Sequence, residues 1–280
     1  MIDNSSLPPI AIELSAAPVL ELNEIRKSFV RLSDSRFSGR RHVLDGVTMT
    51  VRSGDIYGFV GLNGAGKTTT IKAMLGLIHP DAGNIRLFGQ PASSAALERI
   101  GFSPEKPSFY EYLNVEETLR FGIRLSGKNV PESRFTEVLE LVDLAGDRQK
   151  NVGACSKGMQ QRLALAAAML HDPELLILDE PSSGLDPLGR RMIKDVLQKL
   201  KRQGKTLFFS THILADVEEI CDRVGIIHEG RMIFEGSPHE FDPSESHMEE
   251  KFVRLIASVP TASATSLPSV SSNGFGIPRP

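Results

Sequence analysis

The residues with the clearest capacity for chemistry lie in one glycine-rich segment that ends in a lysine and a threonine. Its residues follow the pattern Gly-x-x-x-x-Gly-Lys-Ser/Thr: Gly61, Leu62, Asn63, Gly64, Ala65, Gly66, Lys67 and Thr68. Glycines let successive backbone N–H groups turn inward around an anion, and a helix that begins near the lysine points its positive end at the same anion. The pattern predicts a nucleoside triphosphate site, with Lys67 on the β- and γ-phosphates, Thr68 on Mg²⁺ and Thr69 beside them.

The elements that must hold this loop are present on both sides of it. Residues 55–60 form a short apolar run rich in β-forming side chains. Residues 69–77 can continue as an amphipathic helix that stops before His79 and Pro80. Strand, loop and helix in this order are the context that a phosphate-binding loop requires. A glycine-rich turn with an accidental lysine is therefore a poor alternative.

A second group of candidate catalytic residues follows another apolar run. Residues 175–178 are typical of a buried strand, and Asp179 and Glu180 stand at its end. Successive side chains of a strand point in opposite directions, so the two carboxylates leave the strand differently. Asp179 suits a water-mediated bond to Mg²⁺, whereas Glu180 suits a hydrogen bond from the water that attacks the γ-phosphate. The alternative is a strand that simply ends in solvated acids.

Composition limits the classes of protein to which the chain can belong. The 280 residues suffice for one large domain or two modest ones, and the formal net charge of −3 gives no sign of a nucleic-acid-binding surface. The two cysteines, Cys155 and Cys221, follow no disulfide or zinc-site spacing. No apolar run approaches the roughly 20 residues needed to cross a bilayer, and no signal-peptide pattern is present. We expect a cytoplasmic protein that binds no nucleic acid and does not insert into a membrane by itself.

The pattern of apolar runs predicts an α/β protein with a mainly parallel sheet. Residues 19–26 and 43–52 are typical of two antiparallel strands of an N-terminal β subdomain. Short apolar runs separated by helical stretches indicate a buried parallel sheet, and they lie at 56–60, 175–178, 206–210 and 224–228.

The remaining segments suggest a division of the chain. Strand signals are absent from 104–172, which predicts an inserted helical subdomain, and Asn114 and Glu117 have the spacing of a capping box within it. One amphipathic stretch remains at 248–256 before a tail rich in Ser, Thr, Pro and Ala. The predicted parts are a flexible lead at 1–18, one domain at 19–236, and a C-terminal extension at 237–280 that is largely disordered from about residue 257.

Further short motifs follow the same order as in a known family. Ser156-Lys157-Gly158-Met159-Gln160-Gln161-Arg162 lies between the loop and the carboxylates, Ser183-Gly184-Leu185-Asp186 follows them, and His212 ends a later strand. In this order and spacing, residues 19–236 resemble the nucleotide-binding domain of ATP-binding cassette (ABC) transporters of the drug-exporter or multidrug-efflux type. The resemblance implies a P-loop NTPase core, ATP and Mg²⁺ as cofactors, and ATP hydrolysis.

The resemblance also implies that ATP joins two cassettes. Each nucleotide would touch the glycine-rich loop of one chain and Ser156, Lys157 and Gly158 of its partner, with His212 on the γ-phosphate in cis. Asp186 would communicate across the interface. Taken alone, Ser156 could be a simple helix cap, and His212 a histidine at a strand end with no catalytic role.

The adenine base needs an aromatic face on which to stack. The candidates are Phe29, which follows Lys27 and Ser28, and Phe37, which lies in the loop before the strand that begins at Val43. Phe29 matches the family position better. Ordinary packing of both rings is the alternative.

Two positions depart from the family pattern. The usual Leu-Ser-Gly-Gly-Gln is replaced by Cys155-Ser156-Lys157-Gly158-Met159, which leaves a homodimer or a heterodimer open. Glu105 stands where family members carry Gln. An ionised Glu only accepts hydrogen bonds and adds negative charge beside the phosphates, so the strength of coupling is expected to differ. We nevertheless expect Glu105 to ligate Mg²⁺ and to keep the sensing role of the Gln.

The leading hypothesis is an ATP-hydrolysing subunit that energises a membrane transport complex, by the resemblance an exporter. Its partners would be a second cassette subunit and transmembrane permease subunits, which would hold it peripherally on the inner face of the cell membrane. An aromatic-rich surface at 106–114 would dock the permease, although packing between subdomains is an equal alternative. The alternative function is a soluble cassette ATPase of an assembly system such as metal-cluster assembly. A nucleotide-binding scaffold without turnover is disfavoured because Lys67, Glu180 and His212 are all present.

Overall fold

The computed structural model describes residues 17–30, 40–243 and 248–259. Its strands in chain order are β1 Pro18–Val30, β2 Arg40–Arg52, β3 Ile56–Val60, β4 Ala82–Leu87, β5 Gln90–Pro91, β6 Ile100–Ser103, β7 Leu175–Asp179, β8 Thr206–Thr211, β9 Arg223–His228 and β10 Arg231–Gly236. Its α-helices are α1 Lys67–Met74, α2 Ser94–Leu97, α3 Val115–Leu125, α4 Glu132–Leu141, α5 Lys157–Met169, α6 Pro187–Arg202, α7 Leu214–Ile220, α8 Pro238–Phe241 and α9 Met248–Ser258. Short 3₁₀ turns occur at Ala145–Asp147 and Val152–Ala154.

The strands form two sheets within the described residues. The outer sheet has the order β2-β1-β4-β5 and the central sheet has the order β10-β9-β3-β8-β7-β6. The outer sheet is antiparallel throughout, and in the central sheet only the β9–β10 pair is antiparallel. The predicted α/β class with a mainly parallel sheet and an antiparallel N-terminal sheet is confirmed.

Strand β3 shows how the core is divided. All five of its residues are buried, and their side chains alternate between the two faces of the central sheet. Ile56 and Val60 pack into a core with the helices α3 to α7, whereas Tyr57 and Phe59 pack into a core with the outer sheet and α1. The central sheet is therefore covered on both faces, as its continuous apolar strands predict.

Several strands were not predicted, and the reason lies in their exposure or length. β4 and β10 are mostly half-buried or exposed, so they lack a continuous apolar run. β6 has only four residues, too few for a distinct run of β-forming side chains. β1 extends to Val30 and β2 begins at Arg40, beyond the predicted ends.

The helical elements differ from the predictions mainly at their ends. The capping box of α3 is confirmed, because Asn114 Oδ1 accepts from Glu117 N at 2.8 Å and Glu117 Oε2 accepts from Asn114 N at 2.9 Å. Helix α1 begins at Lys67, as the glycine-rich pattern predicts, but ends at Met74 rather than near residue 77. Helix α5 begins at Lys157, directly after its N-cap Ser156. No helix among the described residues is long and apolar enough to span a bilayer.

The two ends of the chain require corrections of the predicted division. Pro18 belongs to β1 rather than to the lead, and Ala257 and Ser258 are helical rather than disordered because α9 continues to Ser258. The rest of the predicted tail, and Phe37, lie outside the described residues. The division into a domain at 19–236 and an insertion at 104–172 stays a prediction, although α3, α4 and α5 all lie in the latter range.

The topology gathers the candidate residues at one edge. β3, β8, β7 and β6 are consecutive and parallel, so their carboxyl ends share an edge of the central sheet. The glycine-rich loop follows β3, Glu180 follows β7, His212 follows β8 and Glu105 follows β6. Ligands of open α/β sheets bind at this edge.

Candidate active site

The glycine-rich loop is held tightly between β3 and α1. A Cβ at Gly61 would lie 2.6 Å from the carbonyl oxygen of Ile227, which leaves no room for any side chain. Gly66 has φ +115°, and a Cβ there would lie 2.8 Å from Leu44. Helix α1 begins directly after Gly66, so the first N–H groups of the helix have no intrahelical acceptor. The loop and the positive end of the helix together form an anion site.

The two carboxylates at the end of β7 are set apart by a backbone turn. Asp179 is the last residue of β7, and Glu180 has φ +48°, a left-handed conformation that is rare for a residue with a side chain. Both side chains are buried, with 3% of Asp179 and 8% of Glu180 exposed. This turn sends the Glu180 carboxylate into the cleft and leaves Asp179 below it. Backbone strain of this kind clusters at functional sites.

Ser210 on β8 joins the two acidic residues. Its Oγ donates to Asp179 Oδ1 at 2.5 Å and accepts from the backbone N–H of Glu180 at 2.9 Å. Ser210 is fully buried and lies directly opposite Asp179 in the β7–β8 register. One hydroxyl therefore fixes both the Asp179 side chain and the turn that places Glu180.

Glu180 is the centre of a constellation with Lys67 and His212. Lys67 Nζ lies 3.0 Å from Glu180 Oε1 and donates to the carbonyl oxygen of Gly61 at 2.7 Å. His212 Nδ1 lies 2.8 Å from Glu180 Oε2, and because an ionised carboxylate only accepts, Nδ1 donates. Lys67 is 6% exposed, so its charge is balanced inside the protein by Glu180. A triphosphate that recruits Lys67 competes with this ion pair.

A cleft of about 370 Å³ lies over this constellation. The predicted loop residues line it, except Gly61 and Ala65, and so do Glu105, Glu180 and His212. Ala65 is buried behind the cleft, and Asp179 lies beneath the lining. Phe29 is not part of the lining; it is 43% exposed, with Lys27 Nζ 5.6 Å from the ring centre.

A second cleft carries the remaining predicted residues. It has a volume of about 630 Å³, and Ser156, Lys157, Gly158 and Asp186 line it. It shares no lining residue with the first cleft. The single chain therefore carries the two predicted parts of the nucleotide site on separate surfaces.

The side chains of the second cleft are held by their own helices. Ser156 Oγ accepts from Met159 N at 3.2 Å as the N-cap of α5, and Asp186 Oδ1 accepts from Gly189 N at 2.7 Å as the N-cap of α6. The capping role considered for Ser156 is confirmed. The Lys157 side chain lies over Gly184, where a Cβ would be 2.4 Å from Nζ. Cys155 directly precedes Ser156, and burial raises the pKa of its thiol, which favours the protonated form.

The donor atoms around the first cleft fit Mg²⁺. Thr68 supplies a hydroxyl and Glu105 a carboxylate in the lining, and the Asp179 carboxylate lies below. Oxygen donors of this kind are those that Mg²⁺ prefers. A site made only of protein side chains is not required, since Mg²⁺ keeps several waters and binds phosphate oxygens as well.

Sequence reasoning missed four residues of this region. Arg41, Val43 and Ser183 line the first cleft, and Ser210 lies behind it. Arg41 and Val43 come from β2, which is distant in sequence from the loop. Ser183 lies three residues after Glu180 and begins a motif noted in the sequence, so its proximity to the carboxylates is a usable signal.

The fold and site define a P-loop ATPase cassette. The family model described as "ABC transporter" matches residues 44–183, which is half of the chain. The chain belongs to this family: it is an ATP-binding subunit of the ABC class and an ATPase. The resemblance stated from the motifs is confirmed.

Individual relatives agree with this assignment. The chain is 44% identical over 205 residues to the bacitracin transport ATP-binding protein BcrA of Bacillus licheniformis, a match covering 72% of this chain and 67% of that protein. It is 41% identical over 212 residues to the Nod factor export ATP-binding protein I of Burkholderia orbicola, covering 74% and 70% respectively. A solved ATP-binding subunit of an ABC transporter is 31% identical with a TM-score of 0.71, covering 85% of this chain and 99% of that one.

Proposed function

We propose that this protein energises a membrane transport complex, of export type, by binding and hydrolysing ATP between two cassettes. The observation that carries the proposal is the separation of the two clefts. Lys67, Glu180 and His212 face one cleft, whereas Ser156 to Gly158 face another, with no shared lining. A nucleotide held by both sets of residues therefore needs a second chain.

The geometry supports the following proposed roles within each site. Glu180 accepts a hydrogen bond from the attacking water once Lys67 has turned from Glu180 to the phosphates. His212 keeps Glu180 oriented through its 2.8 Å contact and lies close enough to the cleft to touch the γ-phosphate. Ser156 and the first N–H groups of α5 supply anion binding from the partner chain.

Mg²⁺ would be held by Thr68 and Asp179, with Glu105 as a further oxygen donor. When bound, it neutralises phosphate charge and stabilises the negative charge that develops in the reaction. The protein's own residues supply positioning and the water-orienting carboxylate.

A surface on the helical region suits a partner in the membrane. Tyr110, Tyr112, Phe121 and Leu125 are 52%, 73%, 41% and 73% exposed. Tyr110 packs on Tyr112 and Phe121 with ring centres 5.5 Å apart in each pair. An exposed aromatic cluster of this kind is typical of an interaction site. We assign it to the permease subunits, which would hold the protein at the inner face of the membrane.

The relatives' names support export in preference to the alternative of a soluble assembly system. BcrA is named for bacitracin transport and the Burkholderia protein for Nod factor export. A homodimer forms from this chain alone, whereas a heterodimer requires a second cassette subunit, so the chain must be measured both alone and with its partners.

The test uses a hydrolysis-deficient Glu180→Gln variant saturated with Mg-ATP. Light scattering of the chain, alone and with its co-expressed partner subunits, should show a cassette dimer that separates when ADP replaces ATP. A detergent pull-down should recover an integral membrane protein with the chain. A chain that stays monomeric under all these conditions contradicts the ATP-joined dimer, and recovery of soluble partners alone supports the assembly system instead.

A further inference from the structure

Helix α6 begins at the second cleft and packs against α7, the helix that follows His212. Asp186 lines that cleft and is the N-cap of α6. One turn into the helix, Arg190 Nε donates to the carbonyl oxygen of Leu185 at 3.2 Å. The start of α6 and the loop before it are therefore tied to each other.

Lys194 ties the same face of α6 to α7. It stands four residues after Arg190, and residues four apart share a face of a helix. Its Nζ lies 3.6 Å from Asp216 Oδ1 and also pairs with Glu219 of α7. Asp216 is only 5% exposed, whereas Glu219 is exposed, so the pair with Asp216 is the one less screened by solvent.

One oxygen of the Asp216 carboxylate has no partner. Its Oδ2 is buried and accepts no hydrogen bond from any residue within 17–30, 40–243 and 248–259. Burial raises the pKa of Asp216, and the nearby charges of Lys194 and Arg190 oppose that rise. A buried acceptor without a donor is uncommon and requires an explanation. Asp216 thus keeps a spare acceptor near two cations of α6.

Asp216 is also close to His212 along the chain. It lies in the first turn of α7, and only His212 and Ile213 separate that helix from β8. Strand β8 is buried within the central sheet, and Thr211 Oγ1 at its end accepts from Ile213 N at 3.0 Å. A displacement of α7 must therefore be taken up at His212, whose Nδ1 lies 2.8 Å from Glu180 Oε2.

We propose that Asp216 is a positioning residue that holds His212 against Glu180 according to the position of the loop before α6. When a partner's nucleotide engages the second cleft, α6 carries the change to Asp216 through the cations on its face. Helix α7 then carries it to His212, so that hydrolysis in the first cleft depends on occupancy of the second. The inference rests on the proposed function, because it assumes that two cassettes share each nucleotide.

The first test breaks the buried ion pair from each side. Binding of Mg-ATP and steady-state hydrolysis are measured for the full chain, with its co-expressed partner subunits, as Asp216→Asn, Lys194→Met and the double variant. ATP binding should stay within about twofold, whereas kcat should fall about fivefold in each single variant and no further in the double variant. Asp216→Glu should retain most of the rate. Asp195→Asn is the matched control, because Asp195 is an exposed aspartate beside Lys194 on α6.

The second test reports on His212 itself. In a chain labelled with ¹³C-histidine, the ring resonance of His212 is assigned by comparison with His212→Ala. The resonance should shift or broaden in Asp216→Asn, Lys194→Met and Arg190→Met, and it should stay in place in Asp195→Asn. A merely structural role of Asp216 would lower stability without moving this resonance in the folded chain. Thermal unfolding of each variant checks that the fold is retained.

The results that overturn the proposal are specific. An unchanged kcat in Asp216→Asn and Lys194→Met does so, as does a His212 resonance that stays in place in either variant. An unmoved resonance in Arg190→Met also does so, because the loop before α6 would then have no connection to His212. Failure of the proposed function is recognised separately, since the parent Glu180→Gln chain would then form no ATP-dependent dimer before any of these variants is compared.

Discussion

The two clefts differ in how completely the single chain prepares them. In the first, Lys67, Glu180 and His212 already contact one another, and Lys67 and Glu180 are buried. In the second, Ser156, Lys157 and Asp186 are exposed, and the described contacts of Ser156 and Asp186 serve their own helices. The first cleft is organised for chemistry before ATP arrives, whereas the second is an exposed surface whose proposed ligand is the nucleotide held by another molecule.

This difference predicts that nucleotide binding by one chain and the joining of two chains can be altered independently. Changes in the first cleft should alter what one chain does to its nucleotide. Changes in the second should leave that binding intact and alter only what two chains do together.

The largest effect is expected for Glu180→Gln. The amide keeps the shape but cannot act as an anionic acceptor for the attacking water, so ATP hydrolysis should fall by about 100-fold or more. ATP binding should be retained or tightened, because Lys67 loses the carboxylate that now holds it at 3.0 Å. Phosphate release and equilibrium ATP binding are the measurements.

The control for this variant is Glu218→Gln, which alters an exposed glutamate of α7. It should hydrolyse ATP like the parent chain. Hydrolysis by Glu180→Gln at the parental rate would remove Glu180 from the mechanism and revive a scaffold role without turnover.

The second cleft should respond differently to Gly158→Asp. A Cβ at Gly158 would be 3.6 Å from its nearest neighbour, Leu185, so the monomer accommodates a side chain there. The added carboxylate would repel the partner's triphosphate. ATP binding by the monomer should stay within about twofold, while the ATP-dependent dimer is lost and hydrolysis falls by roughly tenfold or more.

Light scattering in the Glu180→Gln background measures the dimer, and titration of ATP measures binding. Gly146→Asp adds the same charge at an open, exposed position and serves as the control. If Gly158→Asp weakens ATP binding by the monomer as much as it weakens the dimer, the two clefts are not separate in function.

Ser210→Ala should have an intermediate effect on both stability and catalysis. It removes the donor to Asp179 and the acceptor for Glu180 N in a fully buried position. The free energy of unfolding should fall by about 1–3 kcal/mol. Hydrolysis should fall further than ATP binding, because the turn at Glu180 loses its support.

Urea unfolding and steady-state hydrolysis are the measurements for this variant. Ser53→Ala, at an exposed turn, is the control. An unchanged hydrolysis rate combined with lower stability would restrict Ser210 to a structural role.

Local signals were sufficient for the phosphate loop and the inner strands. The glycines, Lys67 and Thr68 are consecutive, and β3, β7, β8 and β9 are short runs of apolar residues whose burial follows from composition alone. The carboxylates at the end of β7 were predictable for the same reason. Such features depend on neighbours in sequence.

Features that depend on the register between distant strands were not predictable. Ser210 meets Asp179 because β7 and β8 pair in one particular register, and Arg41 reaches the cleft because β2 packs against the loop. The pairing of Lys67 with Glu180 likewise joins residues that the sequence separates widely. No local periodicity encodes these contacts.

The smallest effect, and the one that sharpens the comparison of the clefts most, concerns Glu105. This acidic residue lines the first cleft together with Glu180, and the Asp179 carboxylate is buried behind that lining. Replacing it with Gln removes one negative charge near the phosphates, so Glu105→Gln should tighten ATP binding by about threefold. Glu105→Ala should gain the same electrostatic benefit but lose the ligand and sensing function, so its hydrolysis rate and its stimulation by partner subunits should fall severalfold.

ATP titration and hydrolysis with and without the partners distinguish the two variants, and Glu98→Gln at an exposed position is the control. If both Glu105 variants match the parent in rate and stimulation, Glu105 neither ligates nor senses, and the first cleft works with Asp179 and Glu180 alone.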